Sequence, residues 1–549
     1  MSTFKCFKRA SVFAGAFLTL LLAACAPASA PASTVPSAGT ATVPGPAAVG
    51  QATTAPATGA PVAGGTLVYA QTGDAVSLYP HRITELISGE VTIQINETLV
   101  RLDAKGNPVP LLAKSWTESP DGQTWTFNLV SGVKFTDGTP FNAQAAKFNL
   151  DTIRDPKNSL PARAVIEAID NVEAKDDSTL VVHTKIPYSP LLYHLSHYSI
   201  GMVSPAAIQK YGKDIDQNPV GTGPFKFSQW VPKESITLVR NDDYWGPKPY
   251  LEKIIFRSMP ENSSRVAALE KGEVDLITNV PPQEVSRLQG EKGLNILIVP
   301  FNRVIFIHMN NSKKPFSDPK VRQAMELAVD RESIVKNILK GFGQVADGPV
   351  ASNVFGFARL GLLSYNPDKA KQLLAEAGYP NGFETTILTP DGRYLGDRET
   401  AEAVAGQLSA IGVKAKVQVM DWSAYLAQFR VPADQSTYQM GLLGLGPSTN
   451  EADWVLYGMY DSKSQSPVSN NRSYYSNPQA DALILQAESE LDPQKQQEIY
   501  AQALKVIETD APDLWLHELK QLYGIRDNVQ GIETLPVEGL YLNQVWKSK

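Results

Sequence analysis

Apolar and polar residues alternate in three short segments of this chain, with the period of a strand that has one buried face. The alternating apolar positions are Trp125, Phe127, Leu129, Ile236, Leu238, Val413, Ala415, Val417 and Val419. Successive side chains of a strand point to opposite faces of a sheet, so each set predicts a half-buried strand.

Helix signals stand out most clearly in the second half of the chain. Asp318 and Asn366 each precede a proline, which places a capping side chain before a residue suited to the first helical turn. After Asn366 apolar residues keep helical spacing until Gly378, and the segment from Arg398 to Ala410 predicts another helix before the strand at Val413. Helices that alternate with strands over this length predict an α/β fold.

The N-terminal segment has the pattern of a secretory signal. Three basic residues precede an apolar stretch, which ends in Leu22-Ala23-Ala24-Cys25. A cysteine directly after two small residues resembles the lipobox of bacterial lipoproteins, in which that cysteine is acylated. The alternatives are an ordinary signal peptide with an incidental cysteine, or an uncleaved membrane anchor. The apolar run is shorter than the roughly 20 residues that span a bilayer. We therefore predict a signal peptide at 1–24 and lipidation at Cys25.

The segment that follows, residues 25–63, consists almost wholly of Ala, Pro, Thr, Ser, Gly and Val after its cysteine. Such a composition cannot build a core, and its prolines favour extended conformations. We interpret it as a tether that holds the folded body outside the cytoplasmic membrane, at the cell surface or in the periplasm.

Composition excludes several functions for the body, which begins near Gly64. Loss of the signal removes three basic residues, so the formal net charge of −6 becomes −9. That balance disfavours nucleic acid as a partner, because no basic stripe is available to neutralise phosphates. The two cysteines, Cys6 and Cys25, both precede the body. It therefore has neither a disulfide nor a thiolate metal site.

A series of short motifs runs in a fixed order through the body. They are Gly64-Gly65-Thr66-Leu67, Asn96-Glu97-Thr98-Leu99-Val100, Pro110-Leu111-Leu112-Ala113-Lys114-Ser115-Trp116, Val133-Lys134-Phe135-Thr136-Asp137-Gly138-Thr139-Pro140-Phe141, Pro219-Val220-Gly221-Thr222-Gly223-Pro224-Phe225, Asn241-Asp242-Asp243-Tyr244-Trp245, Asp318-Pro319-Lys320-Val321-Arg322-Gln323-Ala324 and Gly378-Tyr379-Pro380. In this order they resemble the family 5 solute-binding proteins of bacterial ABC importers for peptides, nickel complexes and related solutes. The resemblance covers essentially residues 64–549.

The resemblance implies a two-lobed clamp of the type II periplasmic-binding-protein kind, with an extra subdomain on lobe I. Lobe I would comprise residues 64–99, 219–300 and 521–549, the subdomain 100–218, and lobe II 301–520. The chain would cross between the lobes near Pro300 and Lys520, and closure about this hinge would bury the solute. We expect a monomer that works with ABC permease and ATPase subunits.

The loop from Gly446 to Trp454 bears on the identity of the solute. Peptide-binding members of the family carry an Asp here for the ligand's α-ammonium, whereas this chain has Ser448 at that position. The amino-acid sequence of this loop is similar to that of glutathione-binding members. The contacts that we predict are Ser448, Thr449, Asp453 and Trp454. Alternatively, Asp453 caps the following helix and Trp454 belongs to the core.

An arginine that binds a ligand carboxylate is expected near residue 398, where related dipeptide receptors place one. Arg398 matches the family position, and Arg393 precedes it in the same loop. A guanidinium suits a carboxylate because it makes two parallel hydrogen bonds, although an exposed arginine is the usual case. Further aromatic candidates for the cleft, each equally compatible with a core, are Trp422, Tyr474 and Tyr475.

Metal and catalytic functions find little support in the sequence. His194 and His197 are the only close pair of histidines and have no third ligand nearby in sequence, so we predict no metal site and no cofactor. No Walker A loop, nucleophile elbow or zinc-protease helix is present. We therefore predict a receptor for a peptide-like solute and not an enzyme. The alternatives are the same receptor class with an oligosaccharide as ligand, a nickel receptor, or a hydrolase or chaperone on this scaffold.

Overall fold

The computed structural model describes residues 60–83, 85–361, 364–390, 392–535, 537 and 539–548. The predicted signal peptide, the lipidation site Cys25 and nearly all of the tether lie outside these residues. The described residues belong to one compact unit. Within them, no helix has both the length and the apolar character that crossing a bilayer requires.

The strands in these ranges are short, apart from two. They are β1 Thr66–Gln71, β2 Val100–Leu102, β3 Pro108–Pro110, β4 Ala113–Glu118, β5 Thr124–Leu129, β6 Ile169–Ala174, β7 Thr179–Thr184, β8 Phe225–Val231, β9 Ser235–Arg240, β10 Lys253–Ser258, β11 Leu276–Ile277, β12 Leu294–Met309, β13 Gly343–Val345, β14 Glu384–Pro390, β15 Lys414–Met420, β16 Met440–Leu445, β17 Asp513–Arg526, β18 Val529–Gln530, β19 Glu533–Thr534, β20 Leu540–Tyr541 and β21 Trp546–Lys547.

The α-helices of the same ranges connect these strands. They are α1 Leu86–Thr92, α2 Ala143–Arg154, α3 Leu191–Leu195, α4 Pro205–Tyr211, α5 Asn262–Lys271, α6 Pro282–Gly290, α7 Pro319–Leu327, α8 Arg331–Asn337, α9 Pro367–Glu376, α10 Asp397–Ser409, α11 Trp422–Phe429, α12 Ala452–Tyr460, α13 Pro478–Ser489 and α14 Pro493–Asp510.

The elements predicted from local patterns are present. The three alternating segments form β5, β9 and β15. Asp318 caps α7 by accepting a hydrogen bond from the Lys320 N–H at 2.9 Å. Asn366 caps α9 through the Lys369 N–H at 3.0 Å. Local capping chemistry therefore determines where these two helices begin.

One eleven-stranded sheet runs through the molecule, in the order β15-β14-β16-β12-β17-β11-β1-β10-β9-β8, with β13 added to β17. The two long strands β12 and β17 pair antiparallel at its centre, and the predicted crossing residues Pro300 and Lys520 face each other in that pairing. The register shifts immediately afterwards, between Pro300 and Val304. Within the described residues, the chain passes from one end of the sheet to the other only in β12 and β17, and these two passages therefore lie side by side.

Three parts of the fold are used below. The first half comprises β1, α1, β8–β11, α5 and α6. The inserted subdomain comprises the separate sheet β4-β5-β7-β6 with α2–α4, and the second half comprises β13–β16 with α7–α14. Each part has buried apolar residues of its own, for example Phe225 and Phe256 in the first half, Phe127 and Leu150 in the subdomain, and Leu442 and Leu504 in the second half.

Several of the family-like motifs meet at one buried carboxylate, that of Glu97. It accepts hydrogen bonds from the Tyr244 hydroxyl at 2.6 Å, from Trp245 Nε1 at 2.8 Å and from the Thr222 hydroxyl at 2.8 Å. Next to it, a Cβ on Gly221 would come 2.0 Å from the carbonyl oxygen of Ile95. These motifs therefore have a structural function, which is to pack the segments after α1, before β8 and after β9 against one another.

Candidate functional site

The loop from Gly446 to Glu451 is held against the crossing strand β12. Asn302 Nδ2 donates hydrogen bonds to the Pro447 carbonyl at 2.6 Å and to Asn450 Oδ1 at 3.2 Å. Gly446 lies so close that a Cβ would come 2.4 Å from the Asn302 carbonyl oxygen. The predicted ligand loop thus begins beside the point where the chain crosses between the halves.

Two predicted hydroxyl contacts lie at the tip of this loop. Ser448 is half-buried, and Thr449 is fully buried. The Thr449 hydroxyl has no hydrogen-bond partner among the described residues. Buried polar groups in proteins are normally paired, so this hydroxyl can accommodate a further partner.

Asp453 lies in the first turn of α12 but does not cap it. The capping residue is Glu451, whose carboxylate accepts a hydrogen bond from the Asp453 N–H at 2.8 Å. The Asp453 carboxylate instead points toward the inserted subdomain. Its Oδ2 accepts a hydrogen bond from the Tyr188 hydroxyl at 3.3 Å and lies 3.9 Å from His194 Nε2.

Trp454 is half-buried and packs against the core of the inserted subdomain. Its ring lies parallel to that of His197, with the centroids 6.0 Å apart and an interplanar angle of 18°. A second stacked pair, Tyr193 with Phe355, joins the same two parts at 5.9 Å. The second half is therefore closed onto the subdomain here, and the alternative that placed Trp454 in a core is partly right.

A buried acidic cluster lies at this junction. It consists of Glu451, Asp453 and Glu488, with His194 beside it. Burial raises the pKa of all three carboxyl groups, and the negative charge of Asp453 raises the pKa of Glu451 and Glu488 further. Burial lowers the pKa of His194 to about 4, so this imidazole is neutral at pH 7. Its 3.9 Å approach to Asp453 is therefore not an ion pair.

The surroundings of His194 in the fold bear on whether it could bind a metal ion. No third ligand lies near His194 and His197 in the sequence, which therefore predicts no metal site. The fold brings two potential ligands from far along the chain, Glu451 and Asp453, beside His194. One donor atom from each of His194, Glu451 and Asp453 lies within 4.8 Å of the others.

Arg393 lies on an aromatic surface of the second half. Its guanidinium carbon is 5.3 Å from the centre of the Trp422 ring and 5.4 Å from that of Tyr394. Its positive charge also reaches the first half, because it partly offsets the rise that burial causes in the pKa of Glu85. Arg393 therefore lies on aromatic rings of the second half and within electrostatic reach of the first half.

Asp397 positions this surface and was missed in the sequence analysis. Its buried carboxylate accepts backbone hydrogen bonds from Gly392, Arg393 and Tyr394 at 2.9–3.2 Å. An acidic residue in the first helical turn after a glycine is the signal that could have indicated it.

Arg398 has a different environment from Arg393. It lies on α10 with its side chain 56% exposed, and its Nε is 2.9 Å from Glu402 Oε1. This exposure is compatible both with the predicted ligand clamp and with the alternative of a solvated arginine.

Tyr474 and Tyr475 both pack in the core of the second half. The Tyr474 hydroxyl donates to the Val431 carbonyl at 2.8 Å, and the Tyr475 hydroxyl donates to Asp510 at 2.6 Å. Since both hydroxyls are already engaged within one half, we leave these residues out of the proposed site.

Comparison with known proteins identifies the family. Residues 107–467 match the bacterial extracellular solute-binding proteins, family 5 Middle. The chain belongs to this family. The glutathione-binding protein GsiB of Escherichia coli strain K12 is 33% identical over 475 residues, which are 86% of this chain and 93% of GsiB.

Solved structures of two peptide-binding proteins have a similar fold. The DppA protein of Helicobacter pylori, in complex with the peptide STSA, superposes with a TM-score of 0.78 at 30% identity, covering 89% of this chain and 99% of DppA. The oligopeptide-binding protein AppA of Bacillus subtilis, in complex with a nonapeptide, gives 0.77 at 26% identity, covering 89% and 100%. The predicted two-lobed α/β fold of family 5 is therefore confirmed.

Proposed function

We propose that this protein is the lipid-anchored receptor of an ABC importer, which captures a glutathione-like peptide between its lobes and delivers it to a membrane permease and its ATPase. The observation that carries the proposal is the similarity to GsiB, which extends over most of both chains. The loop from Gly446 to Trp454 supports it, because its sequence is similar to that of glutathione-binding members and because it lies beside the crossing strands.

The lobes that we propose keep the boundaries expected from the sequence, with lobe I at 64–99, 219–300 and 521–549, its subdomain at 100–218 and lobe II at 301–520. The pairing of Pro300 with Lys520 supports a hinge there, because both crossings can then bend at one place. We expect glutathione to raise the melting temperature and to reduce the radius of gyration in X-ray scattering. Stabilisation with an unchanged radius would contradict closure.

For the solute carboxylate we propose Arg393 as the partner, because it lies over Trp422 within electrostatic reach of the first half, whereas Arg398 already pairs with Glu402. Truncation of an arginine in a closed cleft leaves the carboxylate buried and unpaired, which costs about 2–5 kcal/mol, or roughly 30-fold to several-thousand-fold in affinity. Arg393→Ala should therefore abolish most glutathione binding, while Arg398→Ala should have little effect.

Calorimetry on both variants decides between the two arginines. The reverse result would assign the carboxylate to Arg398. Unchanged glutathione affinity in both variants would refute a carboxylate clamp at this loop. The C-terminal amide of glutathione should bind as weakly to the native protein as glutathione does to Arg393→Ala. Binding of an oligosaccharide without any binding of peptides would replace the proposed solute.

Membrane attachment rests on Cys25 in this proposal. A tether has no affinity for lipid by itself, and stable anchoring takes more than one acyl chain. Cys25→Ser should therefore release the protein from membranes or block processing of the signal. Full retention of the variant in the membrane fraction would refute lipidation.

A further inference from the structure

Three side chains that commonly ligate metals converge where the inserted subdomain meets the second half. His194 comes from α3 of the subdomain, whereas Glu451 and Asp453 flank the start of α12. One donor atom of each lies within 4.8 Å of the other two, and the three residues are 5%, 0% and 3% exposed. The convergence depends on the closed contact between two separate parts of the fold.

The histidine is oriented as a metal ligand. Its Nδ1 lies 2.5 Å from the Val165 carbonyl oxygen, which can only accept a hydrogen bond, so Nδ1 carries the proton. Nε2 then keeps its lone pair, with the Tyr188 hydroxyl 3.0 Å away and Asp453 Oδ2 3.9 Å away. Metal-bound histidines typically donate their other ring N–H to a carbonyl in this way.

The cluster also has more acceptors than donors. The Tyr188 hydroxyl lies 3.0 Å from His194 Nε2 and 3.3 Å from Asp453 Oδ2, but it has one proton to donate. Asp453 Oδ1 is buried and accepts no N–H or hydroxyl hydrogen bond among the described residues, and the side-chain partner of this carboxylate is the Glu488 carboxyl group. The two carboxyl groups share a proton in this arrangement, because two bare carboxylates side by side would repel each other, and a cation can take the place of that proton.

The available space favours a small ion over the amino group of a peptide. All three residues are at most 5% exposed, so a ligand that reaches them must be small. A transition-metal ion takes its ligands at about 2.0–2.2 Å, so the three side chains would draw closer together around it. One imidazole nitrogen with two carboxylates suits Zn²⁺ or Mn²⁺.

We propose that His194, Glu451 and Asp453 bind one divalent transition-metal ion, which fastens the inserted subdomain to the second half. The ion contributes to holding the clamp closed, because its ligands come from both parts and separate when the parts move apart. In this proposal Asp453, which the sequence analysis lists as a solute contact, binds the ion instead.

Calorimetric titration of the purified protein with ZnSO₄ and with MnCl₂, after treatment with a chelator and without any peptide, tests the proposal. We expect one ion per chain for at least one metal. Loss of second-shell partners alone costs metal sites about 10–100-fold in affinity, so removal of a direct ligand should cost at least about 100-fold. His194→Ala and Asp453→Asn should both show this loss. X-ray absorption should show one imidazole among oxygen ligands.

His183→Ala is the matched control, because His183 lies on β7 of the same subdomain, is partly exposed and has its Nε2 3.5 Å from Glu173 Oε1. Its metal affinity should equal that of the native protein. His194→Gln, which keeps a polar side chain, covers the case in which His194→Ala does not fold. No binding, or equal affinity in all variants, would overturn the proposal. Glutathione binding measured in chelator tests the receptor function separately, so either result can fail alone.

Discussion

Substitution of Glu97 tests whether the family-like motifs are held together by one buried carboxylate. Glu97 is 5% exposed and accepts hydrogen bonds from Thr222, Tyr244 and Trp245. A buried donor that loses its partner costs about 1–3 kcal/mol. Thr222 is fully buried, whereas Tyr244 and Trp245 are half-buried and can turn to water. Glu97→Ala should therefore lower the free energy of unfolding by about 1–3 kcal/mol.

Glu97→Gln separates the charge from the hydrogen bonds. The amide oxygen can still accept from Thr222 and Trp245, and the amide nitrogen can donate to the Tyr244 hydroxyl oxygen. Burial raises the pKa of Glu97 from 4.5 to about 7, although its three hydrogen bonds oppose this rise. Between these pH values the folded protein binds more protons at this site than the unfolded chain.

The sign of the pH dependence follows from that difference. The site's contribution to stability is greatest below pH 4.5, falls as the pH rises to about 7 and is constant above it. The loss amounts to about 3 kcal/mol at 1.36 kcal/mol per pH unit. Glu97→Gln lacks this loss, so its stability relative to the native protein should rise by up to that amount between pH 4.5 and pH 7.

Urea unfolding at pH 5 and pH 8 measures this difference. Groups common to both proteins cancel in the comparison, so the change belongs to Glu97. Glu498→Gln, at an exposed position in α14, is the matched control and should follow the native profile. A constant difference between Glu97→Gln and the native protein would refute the raised pKa. A loss of less than about 1 kcal/mol in the free energy of unfolding of Glu97→Ala would refute the view that this carboxylate holds the motifs together.

Three further predictions concern backbone space and the ligand loop. Gly221→Ala should prevent folding or cost several kcal/mol in urea unfolding, because its Cβ would come 2.0 Å from the Ile95 carbonyl oxygen; native stability would contradict this packing. Gly406→Ala, in open space within α10, should instead raise the free energy of unfolding by up to about 1 kcal/mol, and destabilisation would count against it. Asn302→Ala should weaken glutathione binding at least tenfold in calorimetry, because the Gly446–Glu451 loop loses its anchor; unchanged affinity would show that the loop needs none.

Much of the architecture is encoded in local patterns. Alternation predicts β5, β9 and β15 because a strand repeats every two residues, and Asp318 and Asn366 mark helix starts because a cap acts within three residues of itself. The ordered motifs were enough to predict the family and hence the two-lobed fold. In these cases the physical cause and its effect lie close together along the chain.

The site required the tertiary structure. Arg393 and Arg398 are five positions apart in one loop and helix start. Only the tertiary packing places Arg393 over Trp422 and leaves Arg398 exposed beside Glu402. His194 and Asp453 are remote in sequence, and no local pattern records that closure of the subdomain onto the second half brings them together. Capping, alternation and composition act over a few residues, whereas burial, charge and ligand geometry depend on distances through space. The sequence by itself thus determined the secondary elements and the family, and the fold decided which side chains share a site.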